Sequence, residues 1–174
     1  MKKVRGFTLI ELMITVAVLA ILVGLGVPSF RDFIVGSRLT TQTNELVAAI
    51  NLGRSEAVKR NRAISFCRTT TDTATACANT TGTWEHWIIL AGANEVVRRG
   101  NLPRFNGNLR VTSSLPADRL IFAADGLART TGGNLTNNET FTICAFSGPT
   151  QGTRRITLGA GSRVSTEVLV GGCS

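Results

Sequence analysis

The spacing of apolar residues changes twice along this chain, and each change marks a different element. From Phe7 to Val27 the segment FTLIELMITVAVLAILVGLGV runs twenty-one residues with one charge, Glu11. A helix rises about 1.5 Å per residue, so this run matches the roughly 30 Å hydrocarbon core of a bilayer and is expected to span a membrane. Beyond Pro28 the apolar positions thin to Phe30, Ile34, Leu46, Ile50 and Ala57, with Arg31, Arg38, Asn44, Arg54 and Lys59 between them. These spacings predict an amphipathic helix. Together the two stretches predict one helix of about 53 residues, roughly 80 Å long, which exceeds what one domain core needs. Pro28 marks the join: it lacks a backbone donor and disfavours helical geometry at Val27, with Gly24 and Gly26 just before it. A kink or a locally melted turn is expected there, a hinge that extends when subunits pack.

After residue 60 the period shortens to two. Ala63–Arg68, Thr83–Ala91, Val96–Arg99, Leu109–Ser113, Arg119–Ala124, Thr140–Phe146, Arg154–Leu158 and Val164–Val170 read as antiparallel strands. Gly100, Gly107, Pro116, Gly126, Gly132-Gly133, Gly148-Pro149 and Gly159 to Gly161 punctuate them. The links read as short hairpin connections, apart from a polar loop from Thr69 to Gly82. Trp84 and Trp87 lie an odd number of residues apart, so on one strand they face opposite ways, one into the core and one towards an interface. The expected architecture is α+β, a long N-terminal helix with a transmembrane first half packed on an antiparallel β-sheet domain. Its boundaries are a leader at 1–6, a transmembrane half at 7–27, an amphipathic half at 28–60 and a globular domain at 61–174.

At 174 residues the chain has room for one core plus the extra helix length. The formal charge is +8, falling to +5 without Lys2, Lys3 and Arg5. Those three precede the apolar run and place its start in the cytoplasm and everything after Pro28 on the far side. No A-x-A-like cleavage site follows the run, so it is expected to be retained. Apart from Lys59 the remaining basic residues are all arginine, suited to bidentate pairing with phosphate or carboxylate.

Four cysteines, Cys67, Cys77, Cys144 and Cys173, all follow the apolar run. With no CxxC spacing and His86 as the one histidine, no metal site is expected. Outside the cytoplasm two disulfides are the natural reading, with three possible connectivities. Cys67 with Cys77, closing a Thr-rich loop, and Cys144 with Cys173, pinning the last residues, are favoured over the other two pairings and over four buried thiols. No nucleophile motif accompanies His86, and no phosphate-binding loop, dinucleotide fingerprint or carboxylate pair occurs. Neither an enzyme nor a cofactor is expected.

The string Gly6-Phe7-Thr8-Leu9-Ile10-Glu11 resembles the class III leader junction of type IV pilins and type II secretion pseudopilins. The resemblance implies that a prepilin peptidase cuts between Gly6 and Phe7 and methylates the new Phe7 amine. A carboxylate in a transmembrane segment costs about 2.5 to 3.5 kcal/mol on insertion scales, so Glu11 needs an account. It lies about one turn from the new terminus, where it could neutralise a neighbouring subunit's amine; otherwise it snorkels or serves the first turn of its own helix. Thr83-Trp84-Glu85-His86-Trp87-Ile88-Ile89, Leu120 to Gly126 and Arg154 to Leu158 are similar to strands of the GspH/FimT group.

That resemblance implies a minor pilin stored in the bacterial inner membrane as a single-pass protein with its C-terminal domain in the periplasm. It would prime assembly and sit at or near the tip of a type IV pilus at the cell surface. The partners implied are other minor pilins, the major pilin, prepilin peptidase and the inner membrane. Two alternatives share the resemblance: a type II secretion pseudopilin of the GspH kind, and a DNA-binding FimT-like minor pilin for natural transformation. The DNA reading would use a patch of Arg154, Arg155 and Arg163, with Arg98, Arg99 and Arg104 elsewhere, through salt-sensitive phosphate contacts. Against it, the chain departs from the GRxR motif of that subgroup, its nearest counterpart Gly161-Ser162-Arg163-Val164 having one arginine where two would be wanted, and no aromatic residues interleave with the arginines to stack on bases.

Overall fold

The computed structural model describes residues 7–93, 95–150 and 152–173, and of residues 25–29 it describes the backbone only. One helix, α1, runs from Leu9 to Arg60. Thr8 starts it: its backbone is extended and its hydroxyl accepts the Glu11 N–H, satisfying one of the donors that a helix start leaves open. Asn61 ends it in the left-handed conformation, its N–H directed at the Ala57 and Val58 carbonyls, while Lys59 and Arg60 complement the helix dipole. Around Pro28, where a kink or a locally melted turn is expected, the backbone stays helical and α1 is assigned without a break across residues 24–29. Proline removes one donor only. Melting a whole turn would free several more groups that nothing in the isolated chain satisfies.

The inward stripe of α1 is Val35, Leu39, Gln42, Thr43, Leu46, Ala49, Ile50, Gly53 and Ala57, stepping by three or four residues. It begins later than the sequence pattern suggests. Phe30 is 65% exposed and Ile34 only half-buried, because the domain under the helix reaches no further than Val35.

Among the described residues nine strands form two sheets. The first contains β1 (Ile64–Thr69), β2 (His86–Ala91), β3 (Glu95–Asn101), β5 (Arg119–Phe122) and β6 (Ala128–Arg129), in the order β3-β2-β1-β5-β6. The second contains β4 (Leu109–Ser113), β7 (Glu139–Ala145), β8 (Thr153–Leu158) and β9 (Val164–Leu169), in the order β4-β7-β8-β9. All pairings between these strands are antiparallel. Three of the links expected to be hairpins instead cross between sheets: β3 to β4, β4 to β5 and β6 to β7. Helix α1 packs on β1 and β5 of one sheet and on β7 and β8 of the other.

Local chemistry explains how closely these layers approach. Gly53 brings the helix against the Phe122 ring, where a Cβ would lie 3.0 Å from a ring carbon. Gly100 on β3 lies opposite Trp87 on β2, and the indole fills the space a side chain would take. Trp84 is not on a strand, so the expected division of the two tryptophans fails: both are buried against Phe66 in one core. Trp84 N–H also bonds the Val111 carbonyl at 2.8 Å and so links the segment before β2 to β4 of the other sheet. The outer face of β2 is covered as well. Ile88 and Leu90 pack with Cys67 and Cys77 under the polar loop.

That loop is held by a buried ion pair. Arg68 Nε donates to Asp118 Oδ2 at 2.9 Å, and the same carboxylate accepts the Gly82 N–H at 2.7 Å and the Ser113 hydroxyl at 2.5 Å. Arg68 also donates to the carbonyl and hydroxyl oxygens of Thr80. Asp118 reaches this position from a single 3-10 turn, Pro116–Asp118, in which Ala117 and Asp118 both have positive φ. Removing one partner would leave a buried, uncompensated charge. Replacing Asp118 by Ala is expected to destabilise the domain by about 3 to 5 kcal/mol in urea unfolding; a loss within experimental error would show that water, and not this pair, satisfies Arg68.

Candidate functional site

The first half of α1 is the part of the molecule that its own fold leaves unused. Phe7, Leu9, Ile10, Leu12, Met13, Ile14, Val16, Val18, Leu19, Ile21, Leu22 and Val23 are each more than half exposed, on every side of the helix. An all-round apolar helix is stable only when lipid or other protein surrounds it. No helix among the described residues is long and apolar enough to cross a membrane. The stretch described in full, Leu9 to Gly24, falls short of bilayer thickness, and the 7–27 span continues into residues 25–27, whose side chains lie outside the description.

Glu11 sits on this surface as the third residue of the helix. Its N–H donates to Thr8 Oγ1 at 3.3 Å, and Thr8-Leu9-Ile10-Glu11 has the residue types of a capping box. Only the hydroxyl half of the box forms. Among the described residues no cation or donor meets the Glu11 carboxylate, which is exposed beside Phe7 and so open to a charge from outside the chain. Gly6 lies outside the described residues. Pro28 is on the helical backbone, and just past it Phe30 and Phe33 form an exposed aromatic pair with ring centres 6.4 Å apart.

At the other end of α1 the charges are internally matched. The Arg60 guanidinium bridges Glu56 and Glu95, with Arg62 and Lys59 at the rim. Hydrogen bonding from Arg60 is the main cause that holds the Glu56 carboxyl below its ordinary pKa, and the bond to Glu56 raises the Arg60 pKa. This end has few unspent charges to offer a partner.

The candidate arginines do not form one patch. Arg154 and Arg155 are consecutive on β8 and emerge from opposite faces. Arg155 pairs with Glu167 of β9 at 3.0 Å. Arg154 lies in a groove beside α1 with Thr40, Thr43 and Asn44. Arg163 is exposed in the link before β9, and its neighbour Ser162 is buried, its hydroxyl accepting the Ala128 N–H. Arg99 donates to the Thr73 and Ala74 carbonyls and Arg104 pairs with Glu85. His86 Nδ1 meets Asn101 Oδ1 at 2.9 Å across the strand pair and faces no nucleophile. No cluster of metal-binding residues occurs among the described residues.

The cysteines are joined as Cys67–Cys77 and Cys144–Cys173. The second bridge acts with backbone contacts: the Cys173 N–H bonds the Ala145 carbonyl at 2.9 Å, and a Cβ on Gly172 would lie 2.3 Å from that oxygen. The last turn of chain is thereby pressed onto β7. Sequence reasoning missed the Arg68–Asp118 pair, since Asp118 follows Pro116 in what reads as an ordinary turn, and it missed the groove between α1 and β9, which no local pattern marks. Protein made in an oxidising compartment and denatured without reductant is expected to show no titratable thiol. Replacing both Cys144 and Cys173 by Ser is expected to cost about 2 to 4 kcal/mol of unfolding free energy; an unchanged urea midpoint would mean that the backbone contacts alone hold the tail.

Two family descriptions match this chain: type II transport protein GspH over residues 42–162, and the prokaryotic N-terminal methylation motif over residues 1–27. A fimbrial protein of Pseudomonas aeruginosa is 36% identical over 73 residues, 42% of this chain and 47% of that protein. A type IV major alpha-pilin of Moraxella bovis is 46% identical over 44 residues, 25% of this chain and 28% of that one. The chain thus spans about half the length, or less, of the curated relatives it matches. Crystal structures of the type IV minor pilin FimU of P. aeruginosa superpose with TM-scores of 0.52 and 0.55 at 26% and 25% identity. They cover 74% and 78% of this chain and 92% of theirs.

Proposed function

This chain belongs to the GspH family and has the long helix and antiparallel sheets of the pilin fold, and on that basis we propose that it is a minor pilin of a type IV pilus. The observation that carries the reading is the exposed apolar half of α1 with an unmatched carboxylate near its start, inside a matched methylation motif. Before assembly the bilayer covers residues 7–27, with the leader 1–6 in the cytoplasm and the domain in the periplasm, an oxidising compartment that suits two disulfides. Prepilin peptidase cuts between Gly6 and Phe7 and methylates the Phe7 amine, so each processed chain carries a cation about one helical turn from Glu11.

Transfer into a fibre replaces lipid by neighbouring helices and gives Glu11 a partner, the amine of an adjacent subunit. In a medium of low dielectric such a pair attracts strongly, whereas either charge alone is costly. Other minor pilins and the major pilin are the partners this surface fits, with a place at or near the tip, where the subunit primes assembly. Pro28 with Gly24 and Gly26 is the place where α1 yields as subunits pack, although the helix of the single chain is continuous there. The role is structural and not catalytic. The division of Arg154 and Arg155 between two faces gives the DNA-binding reading no support.

Replacing Glu11 by Val is expected to leave membrane insertion and processing intact while lowering the amount in sheared pili; normal incorporation would end the charge-pairing account. A strain lacking the chain is expected to lose surface filaments, with DNA uptake falling in consequence. Intact filaments with loss of DNA uptake alone would make it a DNA receptor, and a defect confined to exoprotein release would place it in type II secretion.

A further inference from the structure

We propose that the free edge of β9 is a second assembly contact, which takes an extended strand from a neighbouring pilin-type subunit. The inference rests on the reading of this chain as a filament subunit. It does not follow from the family match, which ends at residue 162, before β9 begins.

The two sheets have four edges, and three are guarded. β6 is two residues long. β4 is covered by the segment before β2, with the Trp84 N–H on the Val111 carbonyl. β3 carries exposed Arg98 and Arg99, and its register against β2 is broken between Ile89 and Leu90. Short length, cover, charge and irregularity are the devices that keep edges from pairing with other chains. β9 has none of them. It is a regular six-residue strand, Val-Ser-Thr-Glu-Val-Leu, free of Pro, Lys and Arg, and its one charge, Glu167, is already paired with Arg155 of β8.

The pairing with β8 also says which groups point outwards. The Gly159 N–H bonds the Arg163 carbonyl at 2.9 Å, which sets the alternation of an antiparallel ladder. Ser165, Glu167 and Leu169 then exchange bonds with β8, and Val164, Thr166 and Val168 turn their N–H and C=O groups to the free edge. Only another extended backbone matches a row of alternating donors and acceptors at that spacing.

The position of the edge selects the occupant. Between β9 and α1 lies a groove of about 240 Å³, with Thr40, Thr43 and Asn44 on the helix side and Thr166 and Val168 on the strand side. It shares Thr40 and Arg154 with a second hollow that continues down the helix to Gly36 and Phe33. Phe33 is 72% exposed and belongs to the stretch of α1 that the domain leaves bare. A subunit packed along that stretch is therefore brought beside β9, and alternate side chains of its added strand enter the groove. The hydroxyls of Thr40 and Thr43 donate to the Gly36 and Leu39 carbonyls, so their donors are already used within the helix.

The test uses the full chain in a piliated strain. Thr166→Pro and Val168→Pro each remove one outward N–H and no bond to β8, an arrangement proline tolerates on an edge strand. Each is expected to leave the disulfides intact and to lower the amount in sheared pili about tenfold relative to the membrane pool. Equal incorporation of wild type and both variants overturns the β9 contact and leaves the minor-pilin reading standing; absence of the wild-type chain from pili overturns both. Should the proline variants fold poorly, a photocrosslinking benzoylphenylalanine in place of Val168 decides the matter. An adduct with an extended segment of another pilin-type subunit supports the contact, and an adduct with any other protein, or none, overturns it.

Discussion

Everything in this molecule hangs on the packing of the second half of α1 over both sheets at once. The two sheets share no strand pairing, and α1 is the element that touches both, through β1 and β5 on one side and β7 and β8 on the other. Leu39, Leu46, Ile50 and Ala57 are buried along one stripe, and burial of a large aliphatic side chain contributes about 1.5 to 3 kcal/mol. The chain crossings between sheets and the Trp84 bond to β4 add to this.

Fixing the helix this way makes its first half a cantilever. No described part of the domain lies beneath its apolar run from Phe7 to Val23, so those residues are exposed around the full circumference. The fold is therefore stable in itself and incomplete in its surroundings. The domain buries its aromatic residues, closes its cysteines and pairs Arg68 with Asp118, while the helix start presents apolar surface and the carboxylate of Glu11. Lipid answers the first need but not the second, and a second subunit answers both. On the proposed minor-pilin reading, that asymmetry is the thermodynamic reason for a stored subunit to leave the bilayer.

How much of this was legible depended on how local its cause was. The apolar run, the helical stripe through Leu46, Ile50 and Ala57 and most strands follow from periodicity within a short window, and the structure has them. Errors arose where the cause lay elsewhere in the chain. Phe30 fits the helical spacing but lies beyond the reach of the sheets. Trp84 was assigned to a strand by continuity with Trp87, whereas its backbone bonds to β4 of the other sheet. The return of the chain from β4 to β5 through Pro116 leaves no mark in hydropathy that separates a crossing from a hairpin. No local pattern marks Arg68 and Asp118 as partners, because their burial depends on the loop that they themselves hold down. Arg154, Arg155 and Arg163 are close in sequence, yet strand alternation sends two of them to opposite faces.

The segment after β9 runs away from the free edge of that strand. After β9 the chain could have folded over the strand's free edge, as tails often do at the end of a sheet. Instead the Gly171 N–H bonds the Thr150 carbonyl, Thr153 donates its hydroxyl to the Gly171 carbonyl, and Cys173 is tied to Cys144. These contacts draw the tail back across the end of β8 to β7, the strand two places from the edge. The bridge and these backbone contacts together place the described residues 171–173 beside β7. The last described residues thus lie on the β7 side, and the edge of β9 adjoins the bare flank of α1 through two hollows that share Thr40 and Arg154.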